Sequence, residues 1–279
     1  MIRIEQMNDS DIGFAKSLTD IEEWGHVEED FERLYSLDPA GCYVAWLGDE
    51  KAGIVTSVTY GNHSFLGNLI VRKGMRGRGI GIDLMEKIIG HLDRKGVKTI
   101  ELDGVLRAVQ TYRILGFRDK YLSLRFARPP QDNPDGAQKP KAGYTGNIEE
   151  VLRFDREKTG MERGLFLRHL LEKHPHTTYT LHRQRITAYA VIRERATGGL
   201  HIGPMVAENE SAANDLTISI CAQHGRNELT IGVPGINAAA SQMLVRHGFL
   251  HCPPSLRMYR GQRIDYESNV YAIVSADVG

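Results

Sequence analysis

A glycine-rich, basic loop between an apolar strand and an amphipathic helix constrains the fold of this chain more than any other stretch. Residues 69–71 are typical of a buried strand, and residues 80–92 are typical of a helix, because their apolar side chains recur every three or four positions. The first N–H groups of such a helix have no partner within it and point towards the loop, at the positive end of the helix dipole. The sequence therefore predicts an anion-binding site at this connection.

The loop has the residue types that a diphosphate site needs. Glycines let the backbone approach the anion closely, and arginines add charge and forked hydrogen-bond donors. The predicted binding residues are Arg76, Gly77, Arg78, Gly79, Ile80 and Gly81. A solvated connector is the alternative interpretation, and a dinucleotide-binding Gly-x-Gly-x-x-Gly motif fits less well, because no series of β-α-β units starts before it. The spacing Arg-x-x-Gly-x-Gly resembles the pyrophosphate loop of the GNAT superfamily of N-acetyltransferases.

A second segment strengthens this resemblance. Residues 97–102 alternate as a strand, and residues 108–115 are predicted to form a short helix that Gly116 ends. The segment contains the run Tyr-Arg-Ile-Leu-Gly-Phe at 112–117. In GNAT proteins the helix after the loop-bearing helix ends in the same Tyr-x-x-Leu-Gly-Phe pattern. The resemblance implies an α+β fold in which a mixed, mostly antiparallel sheet is flanked by helices.

The chain is predicted to carry two GNAT-like domains. Residues 1–128 follow the GNAT order of elements and would form the catalytic, acetyl-CoA-binding domain. Residues 129–143, rich in proline and turn formers, are predicted to be a linker. Residues 144–279 repeat the plan, with residues 203–207 in the place of the strand before the loop. Their loop, residues 208–215, is acidic and lacks glycine, so it would repel a diphosphate, and the second domain is predicted to be degenerate.

The resemblance implies the chemistry of an N-acetyltransferase, which moves an acetyl group from acetyl-CoA to a primary amine without a metal ion. A fixed backbone N–H would stabilise the oxyanion at the thioester carbonyl. The matching strand positions are Leu69, Ile70 and Val71. Tyr112 matches the residue that protonates the departing thiolate, and a tyrosine that only packs in the core is the alternative. Val105 stands where the family often has an asparagine, so that contact is expected to be lost.

The sequence offers several candidates for the general base and does not select one of them. A protonated amine is no nucleophile, so a base must take its proton. The candidates are Glu22, Glu23, His26, His63 and Asp103. The acidic segment that contains the first two could instead attract a cationic acceptor or form a solvated face. The acceptor is expected to be the amine of a small molecule or a peptide.

Composition and charge disfavour several other functions. The formal net charge is +0, which argues against nucleic acid or an anionic membrane as a partner. No apolar run approaches the roughly 20 residues that span a bilayer, and the first residues lack the pattern of a signal peptide, so a cytoplasmic protein is predicted. A non-catalytic sensor that binds acyl-CoA is the alternative function. A homodimer remains open.

Overall fold

The computed structural model describes residues 1–132 and 147–279. Most of the predicted linker, residues 129–143, therefore lies outside the described residues. Within residues 1–132 the strands and helices are β1 (Ile2–Gln6), α1 (Ile12–Ile21), α2 (Glu28–Leu37), β2 (Cys42–Leu47), β3 (Glu50–Tyr60), β4 (His63–Val71), α3 (Ile80–Arg94), β5 (Thr99–Gly104), α4 (Val109–Ile114) and β6 (Arg118–Arg128).

The second described range has a similar order of elements. Within residues 147–279 they are α5 (Ile148–Thr159), α6 (Gly164–Lys173), β7 (Thr178–His182), β8 (Ile186–Glu194), β9 (Leu200–Ala207), α7 (Glu210–His224), β10 (Leu229–Pro234), α8 (Ala238–Arg246), β11 (Leu250–Gly261) and β12 (Val270–Ala272). No helix in either described range is long and apolar enough to cross a membrane.

One sheet runs through both halves of the described chain. Its strand order is β1-β2-β3-β4-β5-β11-β6-β10-β9-β8-β7, and β12 pairs with β9. Neighbouring strands are antiparallel except for β4 with β5 and β9 with β10. Helices cover the sheet, so the predicted fold class, a mixed and mostly antiparallel sheet flanked by helices, is confirmed.

The two halves exchange their last long strands within this sheet. β11, from the second half, lies between β5 and β6, and β6, from the first half, lies between β11 and β10. The register places Met258 opposite Leu102 in β5, and Leu256 opposite Leu122 in β6. Each half of the sheet is therefore completed by a strand from the other half of the same chain.

The two faces of the first half-sheet carry different layers. Leu66 of β4 packs with Leu84 and Ile88 of α3 in one buried cluster. Phe65, the preceding residue, points to the opposite side and belongs to a cluster that includes residues of α1, α2, α5 and α6. We call these two sides the α3 face and the α1 face.

β4 and β5 diverge at the point where the sequence predicts the thioester. Their last paired residues are Leu66 and Leu102. Just beyond this pair β4 bulges, because Asn68 and Leu69 together oppose the single residue Val55 of β3. Asn68 has a positive φ of 52°, which is uncommon outside glycine. The divergence leaves the facing edges of the two strands unpaired.

Candidate active site

A cleft of about 360 Å³ opens on the α3 face beside the divergence of β4 and β5. Its walls are the end of β4, the glycine-rich loop, the first turn of α3 and the start of α4. The structure brings together in this cleft the predicted site residues Leu69, Ile70, Val71, Arg76, Gly77, Gly79, Ile80, Gly81 and Tyr112. Arg78 is exposed and is not part of the cleft wall. The loop and the tyrosine, distant in sequence, thus share one cavity, while their roles stay a prediction.

The first turn of α3 faces this cleft without a side-chain cap. Gly79 is the N-cap residue, and its φ of 84° is a left-handed conformation that glycine adopts without strain. No side chain of the described residues accepts a hydrogen bond from the first turn. Such N–H groups, at the positive end of a helix dipole, fit the oxygens of a diphosphate.

The matching connection in the second half is different. Asn209 caps α7, and its Oδ1 accepts a hydrogen bond from the backbone N–H of Ala212 at 3.0 Å. Glu210 adds a carboxylate to the first turn and binds Arg246, with an N–O distance of 2.5 Å. The chain itself therefore supplies the acceptor and the negative charge there, which supports the prediction that the second half does not hold a diphosphate.

Two arginines of the cleft bind one carboxylate. Glu22, which follows α1, accepts a hydrogen bond from Arg76 Nη2 at 2.5 Å, and its other oxygen lies 3.4 Å from Arg107 Nη2. Arg76 Nε also donates to the carbonyl oxygen of Val71 at 2.8 Å. Burial disfavours the charged carboxylate, but Arg76, Arg107 and Lys73 together hold the pKa of Glu22 below its ordinary value. Glu22 is therefore an ionised bridge across the cleft and a poor base.

Tyr112 lies deep in the cleft and is only 7% exposed. Its ring packs edge-on against Phe117, with 6.2 Å between the ring centroids. It also fills the space beside Gly104, where an added Cβ atom would lie 2.9 Å from the tyrosine ring. Burial raises the pKa of Tyr112 to about 12, although the charge of Arg107 opposes this shift. The hydroxyl is thus protonated at neutral pH and is able to act as a donor.

Three candidates for the general base lie away from the cleft wall. Glu23 is exposed. His63 is buried at the start of β4 with its Nδ1 3.4 Å from the sulfur of Met161, and burial is the main reason that its pKa falls to about 3. Asp103 is bound by Arg257 through two hydrogen bonds of 3.0 and 2.9 Å. No group of three or more His, Cys, Asp or Glu side chains in residues 1–132 and 147–279 is arranged to hold a metal ion.

The remaining candidate, His26, lies on the α1 face. Its ring packs beside Phe31, and its Nε2 lies 3.4 Å from Oδ2 of Asp277. Asp277 comes from the segment after β12, and no motif in the sequence pointed to it. Of the five candidate bases, only Glu22 lines the cleft, and only His26 lies beside a carboxylate of this segment.

Comparison with known proteins gives matches to two acetyltransferase families. Residues 12–117 match the Acetyltransferase (GNAT) family, and residues 151–272 match the Acetyltransferase (GNAT) domain. One curated relative is the holothin acyltransferase of Pseudoalteromonas sp. (strain SANK 73390). It is 28% identical over 271 residues, which cover 93% of this chain and 90% of the relative.

Solved structures share the fold over nearly the whole chain. A putative acetyltransferase from Pyrococcus horikoshii has a TM-score of 0.85 at 22% identity, and the match covers 100% of this chain and 96% of that one. A GCN5-related N-acetyltransferase from Sphaerobacter thermophilus has a TM-score of 0.67 at 15% identity, with coverage of 96% and 98%. Together with the two family matches, these findings show that the chain is an acyltransferase of the GNAT superfamily with two GNAT domains in tandem.

Proposed function

We propose that the protein transfers an acetyl group from acetyl-CoA to a primary amine of a small molecule or a peptide. The observation that carries this proposal is that the basic loop, the uncapped first turn of α3 and Tyr112 line one cleft beside the divergence of β4 and β5. An acyl-CoA has a diphosphate in its middle and a thioester at its end. The loop suits the first group, and the divergence of the strands suits the second.

Each part of the cleft has a distinct task in this proposal. The first turn of α3 donates hydrogen bonds from its N–H groups to the diphosphate. Arg76 and Arg107 release the carboxylate of Glu22 and bind the oxygens of the diphosphate instead. A backbone N–H among residues 69–71 stabilises the oxyanion that forms at the thioester carbonyl. The hydroxyl of Tyr112 donates to the departing sulfur.

A non-catalytic acyl-CoA sensor is less well supported. The family matches and the curated relative are acetyltransferases or acyltransferases. A pure binding protein also has no need of a protonated hydroxyl such as that of Tyr112 in its ligand cleft. The cytoplasmic location and the homodimer stay predictions from the sequence.

Calorimetric titration of acetyl-CoA into the full chain tests the cofactor part of the proposal. We expect one equivalent to bind to the wild type and none to bind to a variant with Arg76→Glu and Gly79→Asp. Arg226→Glu, an exposed charge reversal in the second half, is the matched control and should bind like the wild type. A wild type that does not bind would refute the proposal, and binding that survives the double change would move the site elsewhere.

Release of CoA thiol in the presence of an amine panel tests the reaction itself. The panel should contain amino acids, polyamines and a short peptide with a free N-terminus. Holothin, the compound in the name of the relative, belongs among the first acceptors. Thiol release that needs both acetyl-CoA and one of these acceptors, with an acetylated product detected by mass spectrometry, is the expected result.

A further inference from the structure

The segment after β12 crosses to the first half of the chain and packs on β4 at its bulge. Asp277 lies directly over Gly67, where an added Cβ atom would be 2.3 Å from the Cβ of Asp277. The carbonyl oxygen of Val278 accepts a hydrogen bond from the hydroxyl of Tyr60 at 3.0 Å. Asp277 is 7% exposed. A carboxylate from the second half is therefore fixed on the α1 face of the first half-sheet.

Three polar side chains surround this carboxylate. Its Oδ2 accepts a hydrogen bond from Asn68 Nδ2 at 3.3 Å and lies 3.4 Å from His26 Nε2. Its Oδ1 accepts a hydrogen bond from the hydroxyl of Ser275 at 2.5 Å. Asn68 Nδ2 also donates to Thr56 at 3.0 Å, which fixes the orientation of the amide. The cluster is held from β3, β4, the α1–α2 connection and the segment after β12.

The cluster lies on the opposite side of β4 from the cleft. Leu69, the residue after Asn68, lines the cleft on the α3 face, and the pairing of β4 with β5 ends two residues before Asn68, at Leu66. An acyl group that enters the divergence from the cleft would therefore present the far side of its carbonyl to the side of β4 where Asp277 lies.

Two polar atoms of the cluster have no hydrogen-bond partner. Asn68 Oδ1 and His26 Nδ1 are both buried and unpartnered in the described structure. Buried polar atoms are nearly always paired in native proteins, so each such atom needs an explanation. Because the carboxylate of Asp277 only accepts, the neutral ring of His26 carries its proton on Nε2, and Nδ1 keeps a free lone pair. An amine N–H group is a partner that suits each of these two acceptors.

We propose that Asn68, His26 and Asp277 form the amine-binding centre of the transferase, in which His26 is the catalytic base and Asp277 is a positioning residue. This inference rests on the proposed function and adds the acceptor side to it. Asn68 Oδ1 accepts a hydrogen bond from the amine, His26 Nδ1 takes its proton, and Asp277 holds the ring through Nε2 and stabilises the imidazolium that forms.

The step balances in atoms and charge. The lone pair of the neutral amine attacks the carbonyl carbon of the thioester, so that a C–N bond forms and the C–S bond breaks. One proton moves from the nitrogen to His26 Nδ1 and later to solvent. The electron pair of the C–S bond leaves on sulfur, which takes a proton from the hydroxyl of Tyr112, and solvent then restores that hydroxyl.

The charges around His26 stabilise its protonated form. Burial disfavours the imidazolium, and the carboxylates of Asp277 and Asp30 favour it more strongly, so the pKa of His26 lies above its ordinary value. The positive charge of Arg193 opposes this shift. Arg193 and Arg33 both form ion pairs with Asp30. His26 is charged and inactive at low pH, so the rate is expected to rise as the pH passes through the pKa of His26.

The test compares three variants of the full chain with an alkoxyamine analogue of the best acceptor. Such an amine is unprotonated across pH 6 to 9, so its own titration does not shape the profile. We expect His26→Gln to lower kcat about 10²-fold and to remove the rise with pH. Asp277→Asn should move the rise to lower pH, because His26 loses its carboxylate. His63→Gln, at the buried histidine outside the cleft, should leave both kcat and the profile unchanged.

Acetyl-CoA binding separates the failure of this inference from that of the proposed function. The His26 and Asp277 variants should bind acetyl-CoA with the affinity of the wild type in calorimetry. A wild type without transfer to any amine would refute the proposed function itself. If the wild type transfers and the two variants keep its pH profile, or lose activity only through weaker acetyl-CoA binding, then the assignment of His26 and Asp277 is wrong. If one variant fails to fold, the profile of the other decides.

Discussion

Replacing Glu22 by Gln should tighten the binding of acetyl-CoA, because its carboxylate holds the two arginines that the diphosphate needs. Glu22 binds Arg76 at 2.5 Å and lies 3.4 Å from Arg107. These arginine side chains are 39% and 70% exposed, so each ion pair contributes at most about 1 kcal/mol. An anion that enters the cleft has to break both pairs. Removing this competition should therefore gain about 1 kcal/mol, which is about a fivefold lower Kd.

Calorimetry of the Glu22→Gln variant at low and high salt measures this gain. The gain should shrink at about 1 M salt, because charges on partly exposed groups are then screened within about 3 Å. Glu5→Gln is the matched control, since Glu5 pairs with Arg3 at 2.8 Å on β1, outside the cleft wall. A Kd that is unchanged or higher in Glu22→Gln would refute the reasoning. It would mean that the carboxylate orients Arg76 for the ligand instead of competing with it.

Three further changes test other parts of the structure. Tyr112→Phe should lower kcat about 10²-fold in the thiol-release assay without changing the calorimetric Kd for acetyl-CoA, because only the hydroxyl is lost. Gly67→Ala puts a Cβ atom against Asp277, so it should lower the free energy of unfolding in urea by about 1–3 kcal/mol, and transfer should fall more than acetyl-CoA affinity. Asn209→Ala removes the cap of α7 and should cost about 1 kcal/mol in the same urea assay while transfer is unchanged. If Gly67→Ala or Asn209→Ala has the free energy of unfolding of the wild type, the contact that this variant removes or disturbs is contradicted.

The local parts of the cleft could be predicted from the sequence because they are short and periodic. The predicted helix at 80–92 corresponds to α3 (Ile80–Arg94), and the one at 108–115 contains α4 (Val109–Ile114). Gly79 directly precedes the first turn of α3 and has no side chain that could cap it, so the uncapped start of this helix could be predicted from the sequence. Local spacing therefore indicated the loop and its helix, and the resemblance to the GNAT family added Tyr112. Neither showed that Glu22 reaches across to Arg76.

Contacts between residues that are distant in the sequence could not be predicted from local patterns. The alternation of apolar and polar residues in β11 is the same whether the strand pairs within its own half or between β5 and β6. Pairing with a strand that is distant in the sequence adds no local pattern. Asp277 is a single acidic residue near a glycine and a valine, and only the fold places it on Gly67. His26 could be proposed as a base because its segment matches the one that forms a wall of the acceptor site in the GNAT family, but its partner could not be found in the sequence.

The exchange of β11 and β6 predicts that neither half folds by itself. In a chain of residues 1–128, β5 loses its neighbour β11 and β6 loses both of its neighbours. Glu101 and Asp103 also lose Arg257, to which both are bound with no exposed side-chain surface. Breaking a buried ion pair by removing one partner costs about 3–5 kcal/mol, which is a large part of the about 5–15 kcal/mol that stabilises a typical protein.

Circular dichroism and size-exclusion chromatography of the separate halves test this prediction. Residues 1–128 alone should lack a cooperative unfolding transition in urea or should aggregate through the open edges of β5 and β6. A mixture with residues 144–279 should recover the transition and the binding of acetyl-CoA, because both exchanged strands are then present. A monomeric, cooperatively folded chain of residues 1–128 would contradict the exchange. The second half would then be dispensable for the first, whereas the structure makes it the source of both β11 and Asp277.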